Sequence, residues 1–172
     1  TNKAAREMQN RITGFLNEKV SSLPWLGTFH SVCAKILRRH AEAVGLNSRF
    51  TIIDQEDQLR LIKNICKAEK IDVKKVAPQF ILSFINQWKN KGLLPKDVIT
   101  KRGIPLERAI LNVYKFYQER LKILNSCDFG DLILLCVTMF ENNPDILELY
   151  LNNFKYILVD EYQDSNYIQS KW

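Results

Sequence analysis

Tyr156-Ile157-Leu158-Val159-Asp160-Glu161-Tyr162-Gln163-Asp164-Ser165-Asn166 is the stretch whose reading decides the fold. A short apolar run, partly β-branched, stops abruptly at two adjacent carboxylates, and polar turn formers follow. The pattern predicts a buried parallel strand whose carboxyl end opens onto a site, the end at which open α/β sheets hold ligands. Paired acids there suit nucleotide chemistry. One carboxylate can hold Mg²⁺, directly or through water, because the ion prefers hard oxygen ligands and keeps several waters. The next can orient or deprotonate an attacking water. A core strand that merely ends in an acidic turn satisfies the same residues, so the pair alone leaves both readings open.

The bulk of the chain narrows the classes. Its 172 residues are enough for one domain with a real core. A hydrophobic content of 46% marks a folded chain. No apolar run approaches the roughly 20 residues of a membrane span, and no signal peptide is present, so a cytoplasmic protein without a membrane partner is expected. Thr1 is not an initiator Met, which suggests a fragment. Cys33, Cys66, Cys127 and Cys136 lack Cys-x-x-Cys spacing and fall mostly at apolar helix positions, as reduced thiols do. Zinc binding through His30 and Cys33 lacks two further ligands at a sensible spacing.

The formal charge of +6 and pI of about 9.1 suit a polyanion partner. The distribution sharpens this. Lys and Arg crowd the middle, from Arg60 through Lys63, Lys67, Lys70, Lys74, Lys75, Lys89, Lys91 and Lys96 to Lys101 and Arg102, whereas acids gather between Glu141 and Asp164.

Between His30 and Tyr156 the periodicity is almost entirely helical. A first helix is expected from Thr1 or Asn2 with Ala5, Met8, Ile12 and Phe15 as its stripe. A short strand ends near Phe29, and a helix capped by Ser31 or a neighbour runs to Val44 before Gly45. Asp54 caps a helix that turns Leu59, Ile62, Ile65 and Cys66 inward. Pro78 opens one bearing Ile81, Phe84, Ile85 and Trp88 and stopping at Gly92. Pro95 starts a short helical turn, and Pro105 precedes a long helix carrying Leu106, Ile110, Val113, Phe116 or Tyr117, Leu121 and Leu124. Asp128 and Asp131 form an Asp variant of the capping box ahead of Leu132, Leu135, Cys136 and Met139. Pro144 starts a last helix with Leu147, Tyr150 and Leu151 inward.

Three strings, in this order along the chain, together resemble the superfamily 1 DNA helicases of the UvrD/Rep/PcrA type. Thr1-Asn2-Lys3-Ala4 is similar to their motif Ia, Gly27-Thr28-Phe29-His30-Ser31 to motif Ib, and Leu158-Val159-Asp160-Glu161-Tyr162-Gln163-Asp164 to the Walker B element, motif II. The resemblance implies ATP and Mg²⁺ as cofactors of a full-length parent, with Asp160 as the metal carboxylate and Glu161 as the residue that activates water. Gln163 joins them in the catalytic set, and Gln163 and Asp164 link the nucleotide site to the rest of the motor. Thr1, Asn2, Lys3, Thr28, Phe29, His30 and Ser31 would touch single-stranded DNA. Asp128-Phe129-Gly130-Asp131-Leu132 resembles an Asp-Phe-x-Asp-Leu element, for which a helix cap is the simpler account. Lys89 matches a Lys-Asn position in the helical insertion and is counted among the DNA contacts, with solvated surface charge as its alternative.

The implied fold is mainly α. A helical subdomain spanning 46–153 is inserted in a truncated RecA-like α/β (P-loop NTPase) domain formed by 1–45 and 154–172, with at most a small parallel-sheet remnant near Thr28 and Leu158. No glycine of the chain is followed by Lys, so the Gly-Lys-Ser/Thr phosphate loop is missing and the chain alone is expected to be inactive. The implied parent is an ATP-dependent 3′–5′ helicase that moves on single-stranded DNA and unwinds duplex DNA in repair or replication. A helicase subunit of a RecB/AddA-type helicase–nuclease shares the Asp-Glu-x-Gln-Asp string. A non-catalytic helical DNA-binding module would explain the basic helices but not the acidic strand.

Overall fold

The computed structural model describes residues 2–16, 24–71, 76–100 and 105–172, with the side chains of Asn2 and Leu16 outside the description. Thr1, Lys74, Lys75, Lys101 and Arg102 therefore lie outside the described residues. The described chain is mainly helical: α1 (Asn2–Leu16), α2 (Phe29–Arg39), α3 (Gln55–Ala68), α4 (Pro78–Asn90), α5 (Pro105–Ile123), α6 (Phe129–Asn142), α7 (Pro144–Asn153) and α8 (Tyr167–Lys171). None of these helices is long and apolar enough to cross a membrane.

Helix ends follow their caps. Asp54 accepts from the Asp57 N–H at 2.9 Å at the start of α3. At α6 the Asp128 carboxylate accepts from the Asp131 N–H while Asp131 accepts from the Asp128 N–H, a reciprocal box that satisfies two orphan donors. Pro78 and Pro144 open α4 and α7. Gly45 and Gly92 close their segments with φ of 73° and 74°, the left-handed region a side chain adopts at a cost. The α2 cap is Thr28, not Ser31, and α2 ends at Arg39, with a separate 3₁₀ turn over Ala41–Val44 before Gly45. Pro95 to Asp97 form a turn without helix.

Sheet content departs from the expected segments. Two strands pair in parallel, β1 (Thr51–Ile52) and β2 (Ser126–Cys127), with Thr51 opposite Ser126 and Ile52 opposite Cys127. Neither lies near Thr28 or Leu158. Pro24 and Trp25 form a turn, and Tyr156–Val159 has no regular secondary structure and no ladder partner among the described residues. Its side chains are exposed, Leu158 at 97% and Tyr156 at 90%, so the buried parallel strand is absent here. A strand exists only through its neighbours' hydrogen bonds, and no described residue supplies them.

Two apolar clusters carry the packing. One joins α2, α6, α7 and α8 through Ile36, Leu37, Phe50, Leu132, Tyr150 and Ile168. The other joins α3, α4 and α5 through Ile62, Ile81, Ile85, Val113, Tyr114 and Tyr117. Each fully buried Ile or Leu contributes about 1.5–3 kcal/mol. The most extensive helix pairing is α2 with α6, so residues 129–153 share a core with the motif Ib helix. Four residues expected inward face solvent: Phe15, Leu106, Leu124 and Leu151; of the Phe116/Tyr117 alternatives, Tyr117 is the buried one.

Candidate nucleotide and nucleic-acid site

Asp160 and Glu161 follow the unpaired stretch, and both are exposed. The Glu161 N–H donates to Asp160 Oδ1 at 3.0 Å, folding the first carboxylate over the next peptide. Gln163 Nε2 donates to Glu161 Oε2, tethering the second carboxylate. Glu161 itself has φ 51° and ψ 41°, a left-handed backbone unusual for a side-chain-bearing residue that costs about 1–3 kcal/mol. It opens a 3₁₀ turn over Tyr162–Asp164. Asp164 is exposed on that turn, and its N–H donates to the Glu161 carbonyl at 3.0 Å. No cluster of three or more His, Cys, Asp or Glu able to hold a metal occurs among the described residues. Two exposed carboxylates fit Mg²⁺ of the kind that keeps its waters and arrives with phosphates, since that ion takes one or two protein carboxylates.

The motif Ib segment stands across an open groove of about 690 Å³, whose walls include Ala5 and Met8 of α1, Thr28 and His30, and Asp160 and Glu161. The Thr28 hydroxyl caps α2 by accepting from the Ser31 N–H at 3.2 Å, and Ser31 Oγ donates back to the Thr28 carbonyl at 2.8 Å. Phe29 packs edge-on against Trp172 with ring centroids 5.8 Å apart. His30 is half-buried, and burial holds its pKa below the ordinary histidine range. Its ring is thus uncharged at neutral pH and offers a face or a hydrogen bond, not a cation. Lys3 is exposed on α1 and does not line the groove, whose α1 wall is Ala4, Ala5 and Met8. Asn2 lies in α1 and Thr1 outside the described residues.

Phe129 was not singled out by sequence reasoning, yet its ring is 55% exposed and lies 5.5 Å from that of His30. An apolar aromatic at the first position of a capped helix, facing outward, was the available signal.

Lys89 departs from the expectation of a surface or DNA contact. Its side chain is fully buried, with Nζ 2.6 Å from Asp128 Oδ2 and 2.8 Å from Asp131 Oδ1. Tyr117 Oη donates to Asp128 Oδ2 at 2.8 Å and Gln118 Nε2 to Asp131 Oδ1 at 2.8 Å. With the two cap bonds, all four carboxylate oxygens accept. Burial works against the Lys89 charge, but Asp131 and Asp128 hold its pKa above the ordinary lysine range. Burial likewise opposes the Asp128 charge, yet the Lys89 ammonium and the bonds from Lys89, the Asp131 N–H and Tyr117 hold this carboxyl below the usual range. Burial, reinforced by the Asp128 charge, pushes Asp131 up despite Lys89. An ammonium so committed has nothing to offer a phosphate. The cap at Asp128 and the lysine at 89 are one structural device.

Residues 1–172 match the family described as the UvrD/REP helicase N-terminal domain. A "Probable DNA helicase II homolog" of Rickettsia felis is 46% identical over 175 residues, covering 100% of this chain and 26% of that protein. The "ATP-dependent DNA helicase PcrA" of Staphylococcus epidermidis is 41% identical over 169 residues, 98% of this chain and 23% of that protein. The chain thus spans about a quarter of the length of these curated relatives. Motif order, groove geometry and the match along the whole chain agree: it belongs to the UvrD/REP helicase N-terminal domain family.

Proposed function

We propose that the chain is the part of an ATP-dependent DNA helicase that carries its water-activating carboxylate and part of its single-stranded DNA track. The observation that carries this is that Thr28 and His30 line the same groove as Asp160 and Glu161. Two relatives named as DNA helicases support it. In this reading residues 1–45 and 154–172 belong to the first motor domain and 46–153 to a helical insertion. The exposed Tyr156–Val159 stretch pairs with strands of the full-length protein, which fill the apolar groove. Bound ATP–Mg²⁺ supplies the phosphoryl group and neutralises its charge. Asp160 would hold the ion, Glu161 takes the proton from water, and Gln163 holds the Glu161 carboxylate in place. Asp164 stays with the turn that connects this site to α8. Phe129 and His30 present ring faces to bases, and Lys3 and the exposed Arg60, Lys63 and Lys67 of α3 present charge to phosphates. Movement is 3′ to 5′, and the chain without a phosphate loop hydrolyses no ATP.

The test is a full-length protein assayed for DNA-dependent ATPase and for unwinding of duplexes with 3′ or 5′ tails. ATPase without unwinding from either tail, or no ATPase, overturns the reading. The chain itself is expected to bind single-stranded and duplex oligonucleotides weakly and without sequence preference. Log affinity should fall linearly with log salt, by about 0.9 per phosphate neutralised on duplex. Titrations of labelled oligonucleotides at two salt concentrations measure this, and salt-independent binding would exclude phosphate contacts.

A further inference from the structure

Helix α8 begins three residues after Asp164 and packs against both α4 and α6. Asn166 caps α8: its Oδ1 accepts from the Gln169 N–H at 3.0 Å, and its own N–H donates to Gln169 Oε1 at 2.9 Å. With Oδ1 so occupied, the amide has its Nδ2 to offer, and it donates to Asn90 Oδ1 at 3.1 Å. Asn90 is the last residue of α4. Two residues on, Gly92 lies so close to α8 that a Cβ there would stand 3.1 Å from Ile168 Cδ1 and 3.7 Å from the Tyr167 ring. Ile168 is buried in the core. Across the helix, Trp172 donates Nε1–H to Cys136 Sγ at 3.3 Å and packs on Phe29.

The residue before Asn90 turns into the core. Lys89 holds Asp128, the cap from which Phe129 extends toward His30, and Gly130 lets the α6 backbone close over the lysine stem, where a Cβ would meet Lys89 Cδ at 3.0 Å. One turn of α4 therefore contacts the cap of α8, which follows the acidic segment, and the cap of α6, from which Phe129 extends.

Resting on the helicase reading above, we infer that Asn90 is a positioning residue: through Asn166 and α8 it sets the Asp160–Asp164 segment relative to the face formed by His30 and Phe129. All five side chains from Asp160 to Asp164 are exposed and the segment has no core of its own, so its placement depends on the anchored helix that follows. Nucleotide and DNA would then communicate through a shared, discrete set of contacts, and coupling between two sites is reciprocal.

The experiment uses the full-length protein and reads the ratio of ATPase with single-stranded oligonucleotide to that without, alongside Tm. Asn90→Ala removes the acceptor from an exposed side chain. It is expected to cut the DNA stimulation ratio at least about fivefold, the lower end of the 5–150-fold span typical of coupling, with Tm unchanged. Asn90→Asp keeps an acceptor oxygen for Asn166 Nδ2 and is expected to restore the ratio. A purely structural role would move Tm with no such split between Ala and Asp. Gly92→Ala, which strains the left-handed turn and crowds Ile168 of α8, should cut the ratio as well. An unchanged ratio in Asn90→Ala, or no rescue by Asn90→Asp, overturns the inference while leaving the helicase reading intact. A wild type with no DNA stimulation of its ATPase overturns the helicase reading itself, and this inference with it.

Discussion

Replacing Glu161 with Gln in the full-length protein is expected to lower ATP turnover by about two to four orders of magnitude while nucleotide binding persists. The change is nearly isosteric. The Gln amide oxygen can still accept from Gln163 Nε2, so the tether and the left-handed backbone at position 161 survive. On the proposed reading, what disappears is the basic oxygen that would receive the proton from water. Asp160→Ala should behave differently, weakening Mg²⁺-dependent nucleotide binding, because it removes a hard ligand and not a base. Single-turnover ATPase together with a nucleotide-binding titration separates the two effects. Near-normal turnover in both variants would remove these residues from the chemistry.

Local signals were legible and long-range ones were not. Caps at Asp54 and Asp128 and the prolines opening α4 and α7 act within a few residues, and each stands where its side-chain chemistry places it. The Tyr156–Val159 run has strand composition, yet composition does not supply a neighbouring strand, and here the stretch stays unpaired and exposed. Conversely, Thr51–Ile52 and Ser126–Cys127 are too short to show any alternation, and their pairing joins residues 75 positions apart (126 − 51). Lys89 was legible in retrospect: Ile81, Ile85 and Lys89 recur every four residues, so the lysine falls on the apolar face of α4. A buried lysine at that spacing demands carboxylates, and the Asp-x-x-Asp box at 128–131 was the available pair. For the candidate site, motif strings named Asp160, Glu161, Thr28 and His30. Phe129 emerged only from the contact between rings brought together by the α2–α6 packing.

Lys89→Met should be the most damaging single substitution in the core, because it strands two carboxylates in an apolar interior. Removing one partner of a buried ion pair costs about 3–5 kcal/mol, which for a chain of this size corresponds to a fall in Tm of roughly 10 °C. The attraction lost is not the main cost. The penalty is the uncompensated charge, so neutralising the acids as well, with Lys89→Met, Asp128→Asn and Asp131→Asn together, should recover much of the loss, since Asn can still cap α6. A triple variant no more stable than the single one would show that the cost lies in packing. The pH dependence carries the sign of each group. Lys89, raised in the fold, stabilises fully below the unfolded lysine pKa of about 10.4, and that contribution is lost as pH rises through the folded value. Asp128, lowered in the fold, stabilises above the unfolded carboxylate pKa of about 3.9 and loses that contribution as pH falls through its folded value. Asp131, raised, acts in the opposite sense and takes up its proton first on acidification. Thermal melts of wild type and Lys89→Met across pH should therefore differ most near neutrality and converge in strong alkali, where the wild-type lysine also loses its charge. A gap that stays constant into strong alkali would mean that the Lys89 charge does not stabilise the fold.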